Sequence, residues 1–110
     1  MKVLAITRYV RISPMKVMEV TREIQGLPAT RALDLVRFMP LKAARLVART
    51  LKSAIANAEN NAGLSREKLK VHEAVAGASV TIKRMSARAR GSSSLIRKRT
   101  SHIKIILSDE

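Results

Sequence analysis

The chain has 110 residues, with 22 Lys and Arg against 8 Asp and Glu, a formal charge of +14 and an isoelectric point near 11.5. Small soluble domains usually carry a net charge of magnitude about 2 to 8, because a stronger field of one sign repels itself and draws polyanions, so a neutral-surfaced metabolic enzyme is a poor reading and a polyanionic partner a good one. At 46% hydrophobic the chain is too apolar for a disordered basic tail and suits one domain with a modest core. Tyr9 and Phe38 are its only aromatics, so that core must be aliphatic. The absence of cysteine removes disulfides, thiolate metal sites and thiol nucleophiles together and makes a cytosolic setting the default. No apolar run approaches the roughly 18 residues of a membrane span, and Met1 to Ile6 reaches Thr7 and Arg8 before a signal sequence could form, so the chain reads as soluble and unprocessed.

Val3 to Ile12 is rich in β-branched residues and reads as a strand, cut off by Ser13-Pro14. Ser13 is expected to cap a helix whose first position is Pro14, where the missing N–H costs nothing. Val17, Val20 and Ile24 give this first helix an apolar face, and Gly26 ends it. Ala29, Ala32, Leu33 and Val36 repeat the spacing in a second helix that stops before Pro40. The third helix has the clearest stripe: Ala44, Val47, Ala48, Leu51, Ala54, Ile55 and Ala58, bounded by Pro40 and Gly63. Its opposite face carries Lys42, Arg45, Arg49 and Lys52, where a polyanion could lie.

Beyond Gly63, Leu69 to Ala76 and Ile96 to Leu107 read as strands, the second with Ile103, Ile105 and Leu107 alternating against Lys104 and Ile106. The intervening stretch, Gly77 to Leu95, is too long for a structureless loop in a compact domain and reads as a projecting β-hairpin. Residues 1–60 and 61–110 each hold 11 basic and 4 acidic residues, so both halves must face the polyanion. No Asp or Glu occurs from Ala74 to Ser108, whereas Lys83, Arg84, Arg88, Arg90, Arg97, Lys98, Arg99 and Lys104 all do. Two strands of like charge are marginal in water, so the arm is expected to become ordered against its partner.

Arginine is the commoner cation on that arm, which suits bidentate phosphate contacts and stacking on bases. Two aromatics cannot build the stacking platform of a sequence-tolerant single-strand binder. Composition leaves two nucleic-acid partners open: a folded RNA read by shape, or DNA held by a β-ribbon. Catalysis has little to stand on. His72 and His102 have no partner at metal-binding spacing, Glu19 and Glu23 sit beside Arg22 as ordinary helix charges, and Ser92-Ser93-Ser94 has no base nearby. Neither an enzymatic activity nor a cofactor or metal is expected.

Four motifs go beyond composition: Tyr9-Val10-Arg11-Ile12-Ser13-Pro14; Leu51 to Asn61, reading LKSAIANAENN; Lys83-Arg84 followed by Arg88-Ala89-Arg90-Gly91; and Arg97-Lys98-Arg99-Thr100-Ser101-His102-Ile103. Together, and in this order, they closely resemble the large-subunit ribosomal protein twenty-two family of bacteria and organelles, over essentially the whole chain. The resemblance implies an α+β fold, with three helices on a small three-stranded antiparallel sheet and a long protruding β-hairpin. It places a single domain over residues 1–110, with a globular part at about 1–76 and 103–110 and the hairpin at about 77–102.

The function implied is that of a structural constituent of the large ribosomal subunit in the cytoplasmic or organellar ribosome. Such a protein binds and bridges several domains of large-subunit ribosomal RNA, supports assembly beside neighbouring ribosomal proteins, and lines the exit tunnel of the nascent polypeptide with its hairpin tip. Carried over to this chain, and joined to the exposed cations read above, the RNA-binding residues are Arg8, Arg11, Ser13, Lys16, Lys42, Arg45, Arg49, Asn57, Asn60, Lys83, Arg84, Arg88, Arg90, Arg97, Lys98, Arg99, Thr100, Ser101 and His102. The tunnel tip is Lys83, Arg84, Met85, Ser86, Ala87, Arg88, Ala89 and Arg90. His102 is expected to be a neutral hydrogen-bonding partner. The chain departs from the family at Gly77-Ala78-Ser79-Val80, where an acidic pair and Gly-Pro are usual, and at Ala87, where proline is usual. Basic positions of the family are Met15, Ser92 and Leu95 here.

Overall fold

A computed structural model describes residues 2–87 and 93–109, with side chains described for 2–78 and 99–109. Strand β1 (Lys2–Val10) leads into three helices, α1 (Pro14–Ile24), α2 (Ala29–Phe38) and α3 (Lys42–Asn61). A single 3-10 turn at Arg66–Lys68 precedes the long strands β2 (Lys70–Ala87) and β3 (Ser93–Ser108). The sheet is antiparallel throughout, in the order β1-β3-β2, and the helices cover one face of it. The fold is the expected α+β arrangement.

The helix faces follow the aliphatic spacing. Val17, Val20 and Ile24 of α1 are fully buried, and so are Ala29 and Ala32 of α2, with Leu33 and Val36 close behind. In α3 the whole expected stripe is buried, joined by Ala43 and Thr50. Thr50 is tolerated there because its hydroxyl lies 2.7 Å from the Thr7 hydroxyl and donates to the Leu46 carbonyl at 3.2 Å, so no polar group goes unpaired. From the sheet, Ala5, Val71, Ala74, Ile103, Ile105 and Leu107 complete a core without any aromatic ring.

The helices start and stop as their local chemistry dictates, with one difference. Ser13 makes no side-chain cap bond; α1 begins on the Ser13 carbonyl, which accepts from Lys16 and Val17 N–H, and on the preset φ of Pro14. Gly26, at φ +82°, turns the chain out of α1 through the left-handed region that only glycine enters freely. The linker it opens then pairs with the start of β2: Gly26 N–H donates to Val71 O, Val71 N–H to Leu27 O and Ala29 N–H to Leu69 O, all at 2.8–2.9 Å. This short ladder covers the free edge of β2 where it would otherwise invite another strand. Past α3, Arg66 closes on Glu59 at 2.7 Å.

The stretch expected to project as a β-hairpin is continuous with both long strands, its ladder running unbroken from Thr81↔Arg99 to Ala87↔Ser93. β1 leaves β3 at Ser101, so from there outward β2 and β3 run on as a two-stranded ribbon. A register shift between Ala78 and Thr81 puts one extra residue into β2 at the point of departure. That bulge falls in Gly77-Ala78-Ser79-Val80, the segment where the chain departs from its resemblance, and bulges bend and twist the strand that carries them. The radius of gyration, 16.9 Å, exceeds the roughly 13 Å of a compact chain of this length, and the longest dimension is 62 Å.

Candidate nucleic-acid interface

The first cluster of cations is built where β1 hands over to α1. A register irregularity between Thr7 and Val10 breaks the β1–β3 pairing, and within it Tyr9 adopts φ +57°, the one positive φ among the described non-glycine residues. For an L-residue this conformation costs about 1–2 kcal/mol. It is held by the Tyr9 N–H, which donates to His102 Nδ1 at 3.2 Å, and by an edge-to-face contact of the two rings with centroids 5.1 Å apart. His102 thus serves as a hydrogen-bonding partner, with Nδ1 as the acceptor. Arg8, His102 and Lys104 share a shallow groove of about 390 Å³ with Ile6, Val75 and Gly77 on the sheet face away from the helices.

Two residues past Tyr9, Arg11 is exposed and its carbonyl accepts from Lys42 Nζ at 3.3 Å. That bond ties the first residue of α3 to the β1–α1 turn, so the cations of the two elements form one band. Lys16, on the first turn of α1, adds to it. From Lys42 the band follows the exposed face of α3 through Arg45, Arg49 and Lys52. Arg37 of α2 faces the last three across a groove of about 660 Å³, at whose end Phe38 stands 86% exposed. Neither α1 nor α3, which start beside Arg11 and at Lys42, has an acidic residue in its first turn, so the positive ends of their dipoles add to the same field. Glu59, on α3, is engaged with Arg66.

The remaining expected residues divide by depth. Asn60 is exposed and lines a groove with Arg37 and Lys52. Asn57 is half-buried and its Nδ2 donates to the Leu4 carbonyl at 3.5 Å, pinning α3 to β1. Ser13 is half-buried at the start of α1, and Thr100 is buried. Ser101 is fully buried, and its hydroxyl donates to the Ile12 carbonyl at 2.8 Å, bracing the turn that presents Arg11. Ser101→Ala should therefore cost about 1–3 kcal/mol by leaving that carbonyl unpaired, read as a lower melting temperature of the free protein. Arg99 is exposed at the root of the ribbon. Lys83, Arg84, Met85, Ser86, Ala87, Arg97 and Lys98 lie on the ribbon's backbone, with side chains outside the described set, and Arg88, Ala89 and Arg90 lie outside the described residues.

Sequence reasoning missed Arg37, Phe38 and Tyr9. A signal for the two aromatics was present: each stands beside an arginine in a chain whose aliphatic residues suffice for the core. Among the described residues no group of His, Asp or Glu could hold a metal ion, and no helix is long and apolar enough to cross a membrane.

This basic, elongated α+β chain has close relatives. A profile of the family described as "Ribosomal protein L22p/L17e" matches residues 5–108. The protein named "Large ribosomal subunit protein uL22" in Chloroflexus aggregans is 50% identical over 110 residues, covering all of this chain and 97% of the relative. Its namesakes in Akkermansia muciniphila and Thermoanaerobacter sp. (strain X514) are 49% and 50% identical over the same 110 residues, or 98% and 99% of their own lengths. With a match across nearly the whole chain and half its residues shared with full-length relatives, the chain belongs to the ribosomal protein L22p/L17e family.

Proposed function

We propose that the chain is a structural, non-enzymatic constituent of the large ribosomal subunit that binds and bridges its ribosomal RNA. The observation that carries this reading is the band of exposed cations from Arg11 across Lys42 to Arg49, with Arg8 on the sheet and the acid-free ribbon beyond it, in a member of a ribosomal family. Phosphates meet the arginines and lysines of the band, and release of their counterions supplies much of the affinity. Lys16 and Asn60 extend the contact on α1 and α3. Asn57, Thr100 and Ser101 support it from beneath, and Ser13 starts the helix that carries Lys16.

The ribbon divides into two parts in this reading. Arg97, Lys98 and Arg99 anchor its stem in RNA, while residues 83–90, Met85 among them, form a tip that lines the exit tunnel of the nascent chain. Neighbouring ribosomal proteins are further partners, and the place of action is the ribosome. Family membership favours RNA over the DNA that charge alone allowed.

Co-sedimentation with large subunits after a high-salt wash tests the reading: retention is expected, and recovery in the free or DNA-bound fraction would overturn it. Within the band, phosphate contacts position the protein without reading bases. Lys42→Ala with Arg45→Ala should thus weaken binding to ribosomal and unrelated RNA alike, lowering the slope of log K against log salt by roughly 1.5. A loss confined to the ribosomal RNA would contradict that role.

A further inference from the structure

We propose that Tyr9 stacks on an unpaired base of the bound RNA, held for that contact by His102. The inference rests on the RNA-binding reading above and names the element of the RNA that this corner takes. Three observations converge on it. Tyr9 is 63% exposed although it is one of only two aromatics in a chain that needs apolar volume. Its backbone is held at φ +57° against the preference of every L-residue, a conformation that persists only where the surroundings enforce it. The enforcing contacts both come from His102: the Nδ1 that accepts the Tyr9 N–H, and the imidazole set at 76° to the phenol ring.

An edge-to-face neighbour fixes the ring's orientation while leaving most of its surface to solvent. A flat, preset aromatic surface of this kind matches a nucleobase, which brings a π-face of similar size whatever its identity. The flanking groups match what lies on either side of such a base. Arg8 and Lys104 sit with His102 in the groove on the sheet, and Arg11, two residues past Tyr9 in the chain, meets Lys42 through its carbonyl. Cations thus stand before and after the ring along the backbone, as the phosphates on either side of a splayed nucleotide would require. One aromatic makes no platform for a running single strand; it makes a place for one base turned out of a folded RNA, the form in which such RNA exposes its bases.

Tyr9 is the only tyrosine and the chain has no tryptophan, so its emission reports on the surroundings of this one residue. The test uses the full chain and a transcript of large-subunit ribosomal RNA, titrated across a range of salt. Wild-type emission should be quenched at saturation. Tyr9→Phe should bind within about twofold of wild type, and Tyr9→Leu and Tyr9→Gly about 5- to 150-fold more weakly, the loss expected for one base stack. The salt slope should stay unchanged in all three, because no charge is removed. Tyr9→Gly also relieves the positive φ, so its melting temperature should stay at or near the wild-type value.

Equal affinity of Tyr9→Leu and wild type, emission undiminished on binding, or losses that track falls in melting temperature would each overturn the proposal while leaving the RNA-binding reading intact. Failure of the wild-type chain to bind the transcript would overturn both.

Discussion

Leu51→Ala should lower the stability of the free protein by about 2–5 kcal/mol, the range for deleting most of a large aliphatic side chain from a packed interior. Leu51 sits at the middle of the α3 stripe, fully buried among aliphatic side chains with no ring nearby to shift into the space. A small domain loses about 4–8 °C of melting temperature per kcal/mol, so the change should be plain in a thermal melt. Ile55→Ala, one turn further along and 3% exposed, belongs in the same range. Arg49→Ala, on the opposite face of the same helix, should stay within about 0.5 kcal/mol of wild type. Equal melting of Leu51→Ala and wild-type protein would mean that α3 presents another face to the sheet.

The largest effect on binding is expected from the ribbon's stem. Replacing Arg97, Lys98 and Arg99 together by alanine should lower the slope of log K against log salt by about 2 to 3, which at 0.1 M salt corresponds to a loss of roughly 100-fold or more in affinity for ribosomal RNA. Melting of the free protein should change little, because these positions lie at or beyond the point where β1 leaves β3. Deleting Ser86 to Arg90 makes the contrast. Loop closure depends only weakly on length, so the shortened chain should fold, and its incorporation into subunits should persist while the tunnel wall changes shape. Density for subunits assembled with each variant separates the two roles, and failure of the deletion variant to assemble would refute the division.

The helices were legible in the sequence because their apolar residues recur at 3, 4 and 7 and because an aliphatic core demands each of them. The stripe of α3 was missing only Ala43, at the start of the helix, and Thr50, whose burial depends on a threonine 43 residues away. The strands were less legible. Alternation marks a strand where one face is covered, as at Ile103, Ile105 and Leu107, and it fades where β2 and β3 pass beyond β1 and the helices, so there the hairpin could be read only from the length of the segment.

The interface shows the same limit. Exposed cations on α3 could be read from helical spacing, but their union with Arg11 depends on Lys42 reaching a carbonyl 31 residues earlier. The burial of Ser101 beneath the interface depends on Ile12, whose carbonyl accepts from its hydroxyl. No local pattern announces the positive φ of Tyr9, which arises from a break in pairing with a strand more than 90 residues later in the chain.

The strand order also dictates when this protein can fold during its own synthesis. β3 is central, and β1 and β2 are held in the sheet by pairing with it. A ribosome that has extruded residues 2–87 has therefore released two strands that do not pair with each other and three helices with no sheet to cover. Ile103, Ile105 and Leu107, which close the core, are translated only afterwards. Pairings so distant in sequence form slowly, and until they form the apolar helix faces stand open. For most of its synthesis the nascent chain is a polycation without a fold, in a compartment full of RNA. Its first encounter with nucleic acid precedes its native structure, and a message truncated ahead of residue 101 yields a product that keeps 21 of the 22 basic residues and none of the pairing between β1 and β3.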